Sequence, residues 1–222
     1  VARDAALRGL RVALVEGDDL ASGTSSRSSR LVHGGVRYLE HGHLALVFEA
    51  SRERRILLRT APHLVRPLAF TWPVYRGARV PRWKLAAGLG LYDALALFRN
   101  VAAHRPLGRD GVLAREPALA ADGLLGGAVY HDAGTDDARL TLATALAARS
   151  AGATIANHAA LRALAPGDPA RRAPAVARVE DRLTGDAIDV RARVVVNAAG
   201  PWADAVRRLV DPAAPAGVLG AK

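Results

Sequence analysis

The spacing of apolar residues predicts alternating helices and strands along the chain. Residues 1–8 have a helical pattern that ends at Gly9, and residues 11–16 form a short apolar run that ends in an acid. A helix, a glycine, a buried strand and a terminal acid are typical of the second half of a βαβ unit. From Leu44 to Thr60 the pattern is helical again, with an apolar face that also includes Arg54, and Pro62 stops it.

The rest of the chain changes from helical spacing to a period of two. In chain order we predict an edge strand at 67–75, a mostly apolar helix at 82–98, a strand at 126–131, a helix at 136–150, and strands at 154–158, 176–183, 187–190 and 194–197. Pro73 argues against a central position for the first of these strands, because proline cannot donate to a sheet ladder. Thr184, Gly185 and Asp186 predict the turn of a hairpin, and 166–174 reads as a solvated loop. The pattern is that of an α/β fold.

Composition narrows the class of protein. The chain has 222 residues, of which 50% are hydrophobic and 23% charged, so it can form one globular domain, or one domain and part of another. It has no cysteine, which excludes disulfides and thiolate metal sites and favours an intracellular, cytoplasmic setting. The net charge is +10, and almost all of the positive charges are arginines, because Lys84 and Lys222 are the only lysines. The arginines are scattered, so we attribute much of this charge to composition, and adhesion to an anionic membrane face remains an alternative.

No stretch of the sequence reaches the roughly 18 to 20 apolar residues that a membrane-spanning helix needs. The nearest, 85–98, is short and contains Asp93. The first residues have neither an initiator methionine nor a signal-peptide core, and they resemble the middle of a helix. We therefore expect an internal fragment whose beginning is missing.

Glu16 stands where a dinucleotide-binding fold has a functional acid. In such folds a carboxylate at the end of the second strand accepts hydrogen bonds from the ribose hydroxyls, about 20 residues after a glycine-rich turn. That turn is not in this sequence, as expected for a chain that begins inside the first helix. A surface carboxylate that merely ends a strand is an equally good interpretation of this pattern alone.

The next feature is the run of hydroxyls, glycines and arginines at 23–40. Hydroxyls and backbone amides at the start of a helix bind phosphate well, and the run follows directly after Glu16. Gly34 and Gly35 would let the backbone approach a flat ring closely, because glycine has no Cβ. A serine-rich loop without a function is the alternative that composition cannot reject.

A resemblance to a known family distinguishes these alternatives. The run T-S-S-x-S-S-[KR]-L-[IV]-H-G-G-[LV]-R-Y-L-E, unbroken at 24–40, resembles the signature of FAD-dependent glycerol-3-phosphate dehydrogenases. Further similar stretches follow in order at 61–70, 130–140 and 197–202, so the resemblance covers essentially the whole chain. It implies an α/β fold: an incomplete FAD-binding Rossmann-like domain of the glutathione-reductase, DAO-like type, with part of a mixed α+β substrate domain.

The resemblance implies a set of cofactor contacts. The hydroxyl run would lie along the FAD pyrophosphate, and the turn before Arg37 would lie near the isoalloxazine. The turn at 197–202 resembles the one that returns the chain to the flavin, and residues 158–160 would lie beside the adenine. The expected cofactor residues are Glu16, Thr24, Ser25, Ser26, Ser29, His33, Gly34, Gly35, Ala199, Gly200 and Trp202.

The resemblance also assigns the catalytic role to Arg37 and Tyr38, which lie near the substrate in the family. A guanidinium can hold a phosphate or stabilise a reduced flavin, and a phenol can bond a hydroxyl. An arginine and a tyrosine on an ordinary helix are the alternative. The segmentation expected is a partial FAD-binding βαβ unit and flavin loop at 1–40, a substrate-side insertion at 41–125, the remainder of the FAD domain at 126–212, and a truncated linker at 213–222.

We therefore expect oxidation of sn-glycerol 3-phosphate to dihydroxyacetone phosphate, with FAD as cofactor and a quinone as electron acceptor. In relatives the missing C-terminal half supplies a histidine base and further phosphate ligands, so this piece alone is expected to be inactive. A related amine or amino-acid oxidase is the rival among enzymes. A basic nucleic-acid-binding module is a remote alternative suggested only by charge, and no nucleic-acid partner is expected. The helix at 82–98 could instead attach the protein to the cytoplasmic face of a membrane, or it could be a buried core helix.

Two clusters invite a metal interpretation that we reject. Asp136 and Asp137 stand at a helix start, where an N-cap and a charge complementary to the helix dipole explain them. His41 and His43 have no third ligand nearby in sequence, so a solvated pair is the simpler interpretation. We expect no metal.

Overall fold

The computed structural model describes residues 1–97, 100–168, 170–215 and 217. The helices are α1 (Ala2–Leu7), α2 (Leu44–Thr60), α3 (Arg82–Leu95), α4 (Arg109–Arg115), α5 (Asp137–Ser150) and α6 (Ala203–Arg208). The strands are β1 (Ala13–Val15), β2 (Leu31–Val32), β3 (Val65–Tyr75), β4 (Arg105–Leu107), β5 (Leu124–Thr135), β6 (Thr154–Ala156), β7 (Ala159–Ala165), β8 (Ala175–Asp181) and β9 (Ala187–Ala192). Short 3-10 helices lie at Thr24–Ser26, Val36–His41 and Gly200–Trp202.

The chain divides into two compact units. The first unit contains residues 1–28 and everything from Asp137 onward, and the second unit is the continuous stretch 29–136. This division separates compact parts of the fold. The segmentation at 1–40, 41–125, 126–212 and 213–222 instead assigns functional roles to parts of the chain, and it stays a prediction.

The first unit has a small parallel α/β core. β1 pairs in parallel with β6, with Ala13 opposite Thr154. Next to this pair, α1 and α5 pack through small residues, since Ala6, Ala148 and Ala153 form a buried cluster. Alanine brings the two helix backbones close together, which is how two short helices can bury a shared face with so few large side chains. This arrangement confirms the predicted helix, glycine and strand at the start of the chain.

The first unit also contains an antiparallel sheet in the order β7-β8-β9. The turn between β8 and β9 has Gly185 at φ +84°, and the backbone N–H of Asp181 donates to the carbonyl of Asp186 at 2.8 Å. The predicted hairpin turn is therefore confirmed. Its sequence places glycine at the position that needs a left-handed conformation.

The second unit is built around β5. β3 pairs antiparallel with β5 along its whole length, and β2 and β4 pair with the other edge of β5. β3 is therefore an edge strand among the described residues, as Pro73 predicted. α3 covers this sheet through a core of Val74, Leu85, Leu89 and Ala128.

Several predicted elements agree closely with the structure. α2 has the predicted bounds, and Gly9 and Gly152 have φ of +79° and +99° just after α1 and α5, as glycines that end helices do. β5 is longer than the predicted strand at 126–131. α3 ends at Leu95, before the predicted end at Phe98, which lies outside the described residues.

The strand predicted at 194–197 is wrong. No strand includes this segment in the described part of the chain, and Val194 and Val196 are 76% and 60% exposed. A strand needs a neighbour to satisfy its backbone groups, and no described segment pairs with this one. The buried character predicted for β1 is wrong for the same reason: β6 is its only described neighbour, and Val15 stays 39% exposed. β7 was missed, because its alanine-rich sequence lacks a clear alternation.

Within the described residues, no helix combines the length and apolarity that crossing a bilayer requires. α3 contains four buried residues, among them Tyr92 and Asp93. One face of this helix therefore belongs to the core of the second unit, while Trp83 near its start is 74% exposed.

Candidate functional site

Glu16 follows β1 at the carboxyl end of the parallel pair. Its backbone N–H donates to the carbonyl of Ala156 at 2.9 Å, which extends the ladder with β6 by one residue. Its side chain is half-buried, and one carboxylate oxygen accepts a hydrogen bond from the Asp18 backbone N–H at 3.1 Å. Ligands of open α/β sheets bind at the carboxyl ends of the strands, so Glu16 stands at the right end to meet one.

The loop after Glu16 is held by hydrogen bonds and an ion pair to residues that are distant in sequence. Arg182 donates to the carbonyl of Gly17 at 3.0 Å and forms an ion pair with Asp18, while its backbone N–H donates to the carbonyl of His158. Asn157 donates to Asp19 at 2.9 Å, and this hydrogen bond lowers the pKa of Asp19. The residues predicted to lie beside an adenine therefore adjoin the loop of the predicted ribose acid.

The hydroxyl run begins in the first unit with the 3-10 helix Thr24–Ser26. The side chains of Thr24 and Ser25 are exposed, and Ser26 Oγ lies 3.4 Å from the carbonyl of Gly23. Two of the three predicted phosphate ligands in this helix thus have accessible hydroxyls. Ser29, also exposed, is the first residue of the second unit.

Ser28, which sequence reasoning did not select, anchors this run. Its hydroxyl donates to the Asp137 carboxylate at 2.7 Å, and its backbone N–H donates to the same oxygen at 3.3 Å. These bonds lower the pKa of Asp137, with the hydroxyl bond as the largest cause. Asp137 begins α5, so the run is attached to a helix terminus, and Asp137 is used in this structural contact.

The turn at 197–202 lies against the start of the hydroxyl run. Asn197 closes the turn with both side-chain atoms: Oδ1 accepts from the Ala199 N–H at 3.2 Å, and Nδ2 donates to the carbonyl of Ala203 at 2.9 Å. The indole of Trp202 covers Gly23 so closely that a Cβ there would lie 2.8 Å from a ring carbon. The structure therefore brings together, within the first unit, two segments that were predicted separately to contact the cofactor. Gly200, in the same turn, has φ +54°.

In the second unit, the turn at 33–35 has an exposed histidine followed by two buried glycines. A Cβ on Gly34 would overlap the Tyr92 hydroxyl and Ser51 Oγ, and a Cβ on Gly35, which has φ +76°, would overlap the ring of Tyr38. Both glycines are thus required by contacts within the unit itself. Tyr38, predicted to be catalytic, is 40% exposed with its ring against this turn.

Beneath the turn lies a buried polar cluster formed by Arg54, Tyr92 and Asp132. Arg54 is 2% exposed and Asp132 is 3% exposed. Arg54 forms an ion pair with Asp132 and donates to the Tyr92 hydroxyl at 2.6 Å, and Tyr92 donates to Asp132 at 2.6 Å. Burial and the adjacent Asp132 carboxylate raise the pKa of Tyr92. We did not predict this cluster, although the helical spacing had already placed Arg54 on the apolar face of α2.

Arg37 lines a groove of about 560 Å³ on the second unit. Aromatic side chains of β3 and β5 form much of its wall. A second arginine of the lining, Arg79, donates a hydrogen bond to the Glu40 carboxylate at 2.8 Å. This bond lowers the pKa of Glu40. The lining residues are Arg37, Glu40, His41, Phe70, Thr71, Trp72, Pro73, Arg79 and Tyr130.

Tyr130 is the most strongly perturbed titratable group in this groove. Burial is the first cause that raises its pKa to about 12, the buried Asp132 carboxylate adds to the rise, and the Arg37 guanidinium opposes it. A tyrosine is already protonated at physiological pH, so the phenol is a neutral hydrogen-bond donor there, and the raised pKa extends this state to more alkaline pH. The groove combines a cation, an aromatic wall and a phenol donor, which suits an anionic substrate that also carries hydroxyl groups.

His41 and His43, one of the two clusters considered for a metal, form a solvent-exposed pair. The rings of His41 and His43 lie 6.3 Å apart, and both side chains are exposed. Among the residues that the structure describes, no group of three or more histidines, aspartates or glutamates is arranged to hold a metal ion.

The chain matches known proteins over nearly all of its length. The family model DAO, described as FAD dependent oxidoreductase, matches residues 1–220. A glycerol-3-phosphate dehydrogenase from Synechocystis sp. is 43% identical over 208 residues, 92% of this chain and 37% of that protein. An aerobic glycerol-3-phosphate dehydrogenase from Staphylococcus aureus is 40% identical over 93% of this chain, again 37% of the relative.

A solved structure supports the same grouping. The glycerol-3-phosphate dehydrogenase from Bacillus halodurans, complexed with FAD, is 32% identical with a TM-score of 0.69. It is matched over 94% of this chain and 33% of its own length. The chain therefore spans about a third of the length of these glycerol-3-phosphate dehydrogenases.

Proposed function

Because the chain belongs to the DAO family of FAD dependent oxidoreductases, we propose that the protein containing it oxidises sn-glycerol 3-phosphate to dihydroxyacetone phosphate and passes the electrons to a quinone. The observation that carries this proposal is the 43% identity to a glycerol-3-phosphate dehydrogenase over 92% of the chain. Similarity on this scale extends well beyond a cofactor motif, so it supports the substrate as well as the cofactor.

The described residues fit FAD by the chemistry of their donors and acceptors. In the first unit, the half-buried carboxylate of Glu16 would accept hydrogen bonds from the ribose, and the exposed hydroxyls of Thr24 and Ser25 would donate to the pyrophosphate. When bound, FAD supplies the acceptor for the hydride that leaves the substrate carbon. The other proposed cofactor residues are Ser26, Ala199, Gly200 and Trp202 in the first unit and Ser29, His33, Gly34 and Gly35 in the second unit.

Substrate binding is proposed for the groove of the second unit. Arg37 would bind the phosphate of glycerol 3-phosphate, since a guanidinium can donate two parallel hydrogen bonds to phosphate oxygens. Tyr38, the other proposed catalytic residue, would donate a hydrogen bond to a substrate hydroxyl. Tyr130 is an additional donor in the groove, because it lines the groove and its phenol is protonated at physiological pH.

The test is a visible absorption spectrum of the full-length protein, before and after anaerobic addition of glycerol 3-phosphate. We expect an oxidised flavin spectrum that this substrate bleaches. A flavin that is bleached by amines or amino acids but not by glycerol 3-phosphate would assign the protein to the rival oxidases. A purified protein without flavin would contradict the proposal.

A pair of variants tests the substrate site. Arg37→Ala is expected to raise the KM for glycerol 3-phosphate by about 10- to 150-fold, because a charged hydrogen bond contributes roughly 1.5 to 3 kcal/mol. The matched control is Arg79→Ala, which removes an arginine from the same groove that already pairs with Glu40. An equal rise in KM for both variants would mean that general positive charge, and no specific contact with Arg37, attracts the substrate.

Peripheral membrane attachment is proposed as a further property, because a quinone acceptor is lipid-soluble. It is supported by the start of α3, where Trp83 is 74% exposed between Arg82 and Lys84, a combination suited to a bilayer interface. The full-length protein should float with anionic vesicles, and Trp83→Ser should release a large share of it. Flotation that is unchanged in this variant would move any attachment site away from α3.

A further inference from the structure

Asp132 collects three hydrogen bonds in the core of the second unit. The same oxygen, Oδ1, accepts from the Gly34 backbone N–H at 3.1 Å, from the Tyr92 hydroxyl at 2.6 Å and from Arg54. Two of these donors are side chains that hold the carboxylate in place. The third is a main-chain group of the turn at 33–35, so this buried ion pair is connected directly to the turn.

The bond to Gly34 fixes the direction of a peptide group. The described residues contain no cis peptide bond, and in a trans peptide the N–H and the preceding carbonyl point in opposite directions. Because the Gly34 N–H points toward Asp132, the carbonyl of His33 points away from the buried cluster. A peptide free of this bond could rotate, since its second residue is a glycine.

We propose that Asp132, held by Arg54 and Tyr92, is a positioning residue that orients the His33–Gly34 peptide so that its carbonyl is presented as an acceptor for an N–H group of the flavin ring. This inference rests on the proposed function for the presence of the flavin. The cluster suits this role because the hydrogen bonds from Arg54 and Tyr92 hold the Asp132 carboxylate in one position.

The neighbouring side chain Ser51 provides an internal control. Its hydroxyl lies against Gly34, is buried, and has no hydrogen-bond partner among the described residues. Ser51→Ala thus changes the packing surface under the turn by one atom but removes no hydrogen bond of the cluster. Tyr92→Phe has nearly the same shape as the native residue, keeps the ion pair, and removes only the phenol oxygen.

The experiment measures two quantities in the full-length protein and in Asp132→Asn, Tyr92→Phe and Ser51→Ala. The first is the rate of amide hydrogen exchange in a peptide that includes Gly34, measured on flavin-free protein. The second is the dissociation constant of FAD from a fluorescence titration. For Asp132→Asn we expect exchange and the dissociation constant both to rise by about tenfold, for Tyr92→Phe by about threefold, and for Ser51→Ala by less than about twofold.

The outcomes separate this inference from the proposed function. A native protein that does not bind FAD would contradict the proposed function before any variant is made. Native binding with unchanged FAD affinity in both cluster variants would overturn the inference, even if exchange at Gly34 became faster. If Asp132→Asn does not fold, Tyr92→Phe decides, because it preserves the ion pair between Arg54 and Asp132.

Discussion

The two units hold their candidate site residues in different ways. In the first unit, Glu16, the hydroxyl run and the turn at 197–202 are held by backbone turns and exposed side-chain contacts. In the second unit, the turn at 33–35 is held by a buried ion pair with a tyrosine. We infer that site residues of the first unit can be changed with little loss of stability, whereas the buried glycines of the turn at 33–35 in the second unit cannot.

The largest expected effect is on the buried ion pair of the second unit. Arg54→Ala should lower the free energy of unfolding by about 3 to 5 kcal/mol, because it leaves the Asp132 charge buried and unpaired. Denaturant unfolding of the full-length protein measures this effect. Arg52→Ala, an exposed arginine on the same helix, is the control and should change stability by less than about 0.5 kcal/mol. Equal losses for the two variants would mean that the buried ion pair contributes no more to stability than an exposed arginine does.

Adding one methyl group to the turn should have the next largest effect. Gly34→Ala is expected to destabilise by about 1 to 3 kcal/mol, because its Cβ would overlap Ser51 and the Tyr92 hydroxyl, and Tyr92 cannot move without disturbing the cluster. Gly88→Ala, in the middle of α3 with no atom within 4 Å of the new Cβ, should instead stabilise by about 0.5 to 1 kcal/mol. Thermal unfolding distinguishes the two, and a stable Gly34→Ala protein would mean that the core around Asp132 is loosely packed.

A variant of Glu16 tests whether a site residue of the first unit can be changed without loss of stability. Glu16→Ala should weaken FAD binding by about tenfold, since it removes the proposed acceptor for the ribose hydroxyls. The melting temperature of the flavin-free protein should hardly change, because the carboxylate makes a single, exposed hydrogen bond within the described part of the chain, to the Asp18 N–H. Glu180→Gln, which breaks the surface ion pair with Arg162, should alter neither quantity. A large drop in melting temperature for Glu16→Ala would show that this residue is structural.

The loss of stability at alkaline pH should come in part from Tyr130 in the second unit. An unfolded tyrosine ionises near pH 10, whereas Tyr130 in the fold has a pKa of about 12, so the folded state retains a proton that the unfolded state loses. The contribution of Tyr130 to stability is therefore complete below pH 10 and is lost as the pH rises toward 12. Melting temperatures from pH 8 to 12 should fall less steeply for Tyr130→Phe than for the native protein. Parallel curves would mean that other groups cause the alkaline loss.

The smallest effect concerns acid stability in the first unit. The hydroxyl of Ser28 lowers the pKa of Asp137, so the carboxylate stabilises the fold above its unfolded pKa, and this stability is lost as the pH falls through the lower folded pKa. Ser28→Ala should reduce the difference in melting temperature between pH 7 and pH 3, while the stability at pH 3 stays nearly the same. Thr144→Ala, an exposed hydroxyl later in α5, should leave the pH dependence unaltered.

Local sequence signals predicted much of the fold. The bounds of α2 followed from helical spacing and Pro62, and the turn between β8 and β9 followed from Gly185. The strand predicted at 194–197 was wrong because pairing depends on a neighbour, and three consecutive valines carry no information about whether one is present. Strand β7 was missed because alanine fits helices and strands almost equally well on a half-buried surface.

The part of the candidate site that carries a motif could be predicted, whereas the charged pair that forms only on folding could not. Gly34 and Gly35 stood out in the sequence. The spacing placed Arg54 on an apolar face, but nothing in the sequence connects it with Asp132, which lies on a different element. Ser28 was overlooked for the same reason, because its partner Asp137 is distant along the chain. The roles of Arg37, Tyr38 and the cofactor residues stay predictions that the proposed experiments test.

The order of the two units along the chain has a consequence for biosynthesis. All of the second unit is made after β1 and before β6, which is the strand that pairs with β1 among the described residues, with Thr154 opposite Ala13. The whole second unit therefore emerges from the ribosome before β6 is available to pair with β1. On stalled nascent chains we expect the second unit to become protease-resistant first, and the first unit to become resistant only after β6 has been synthesised.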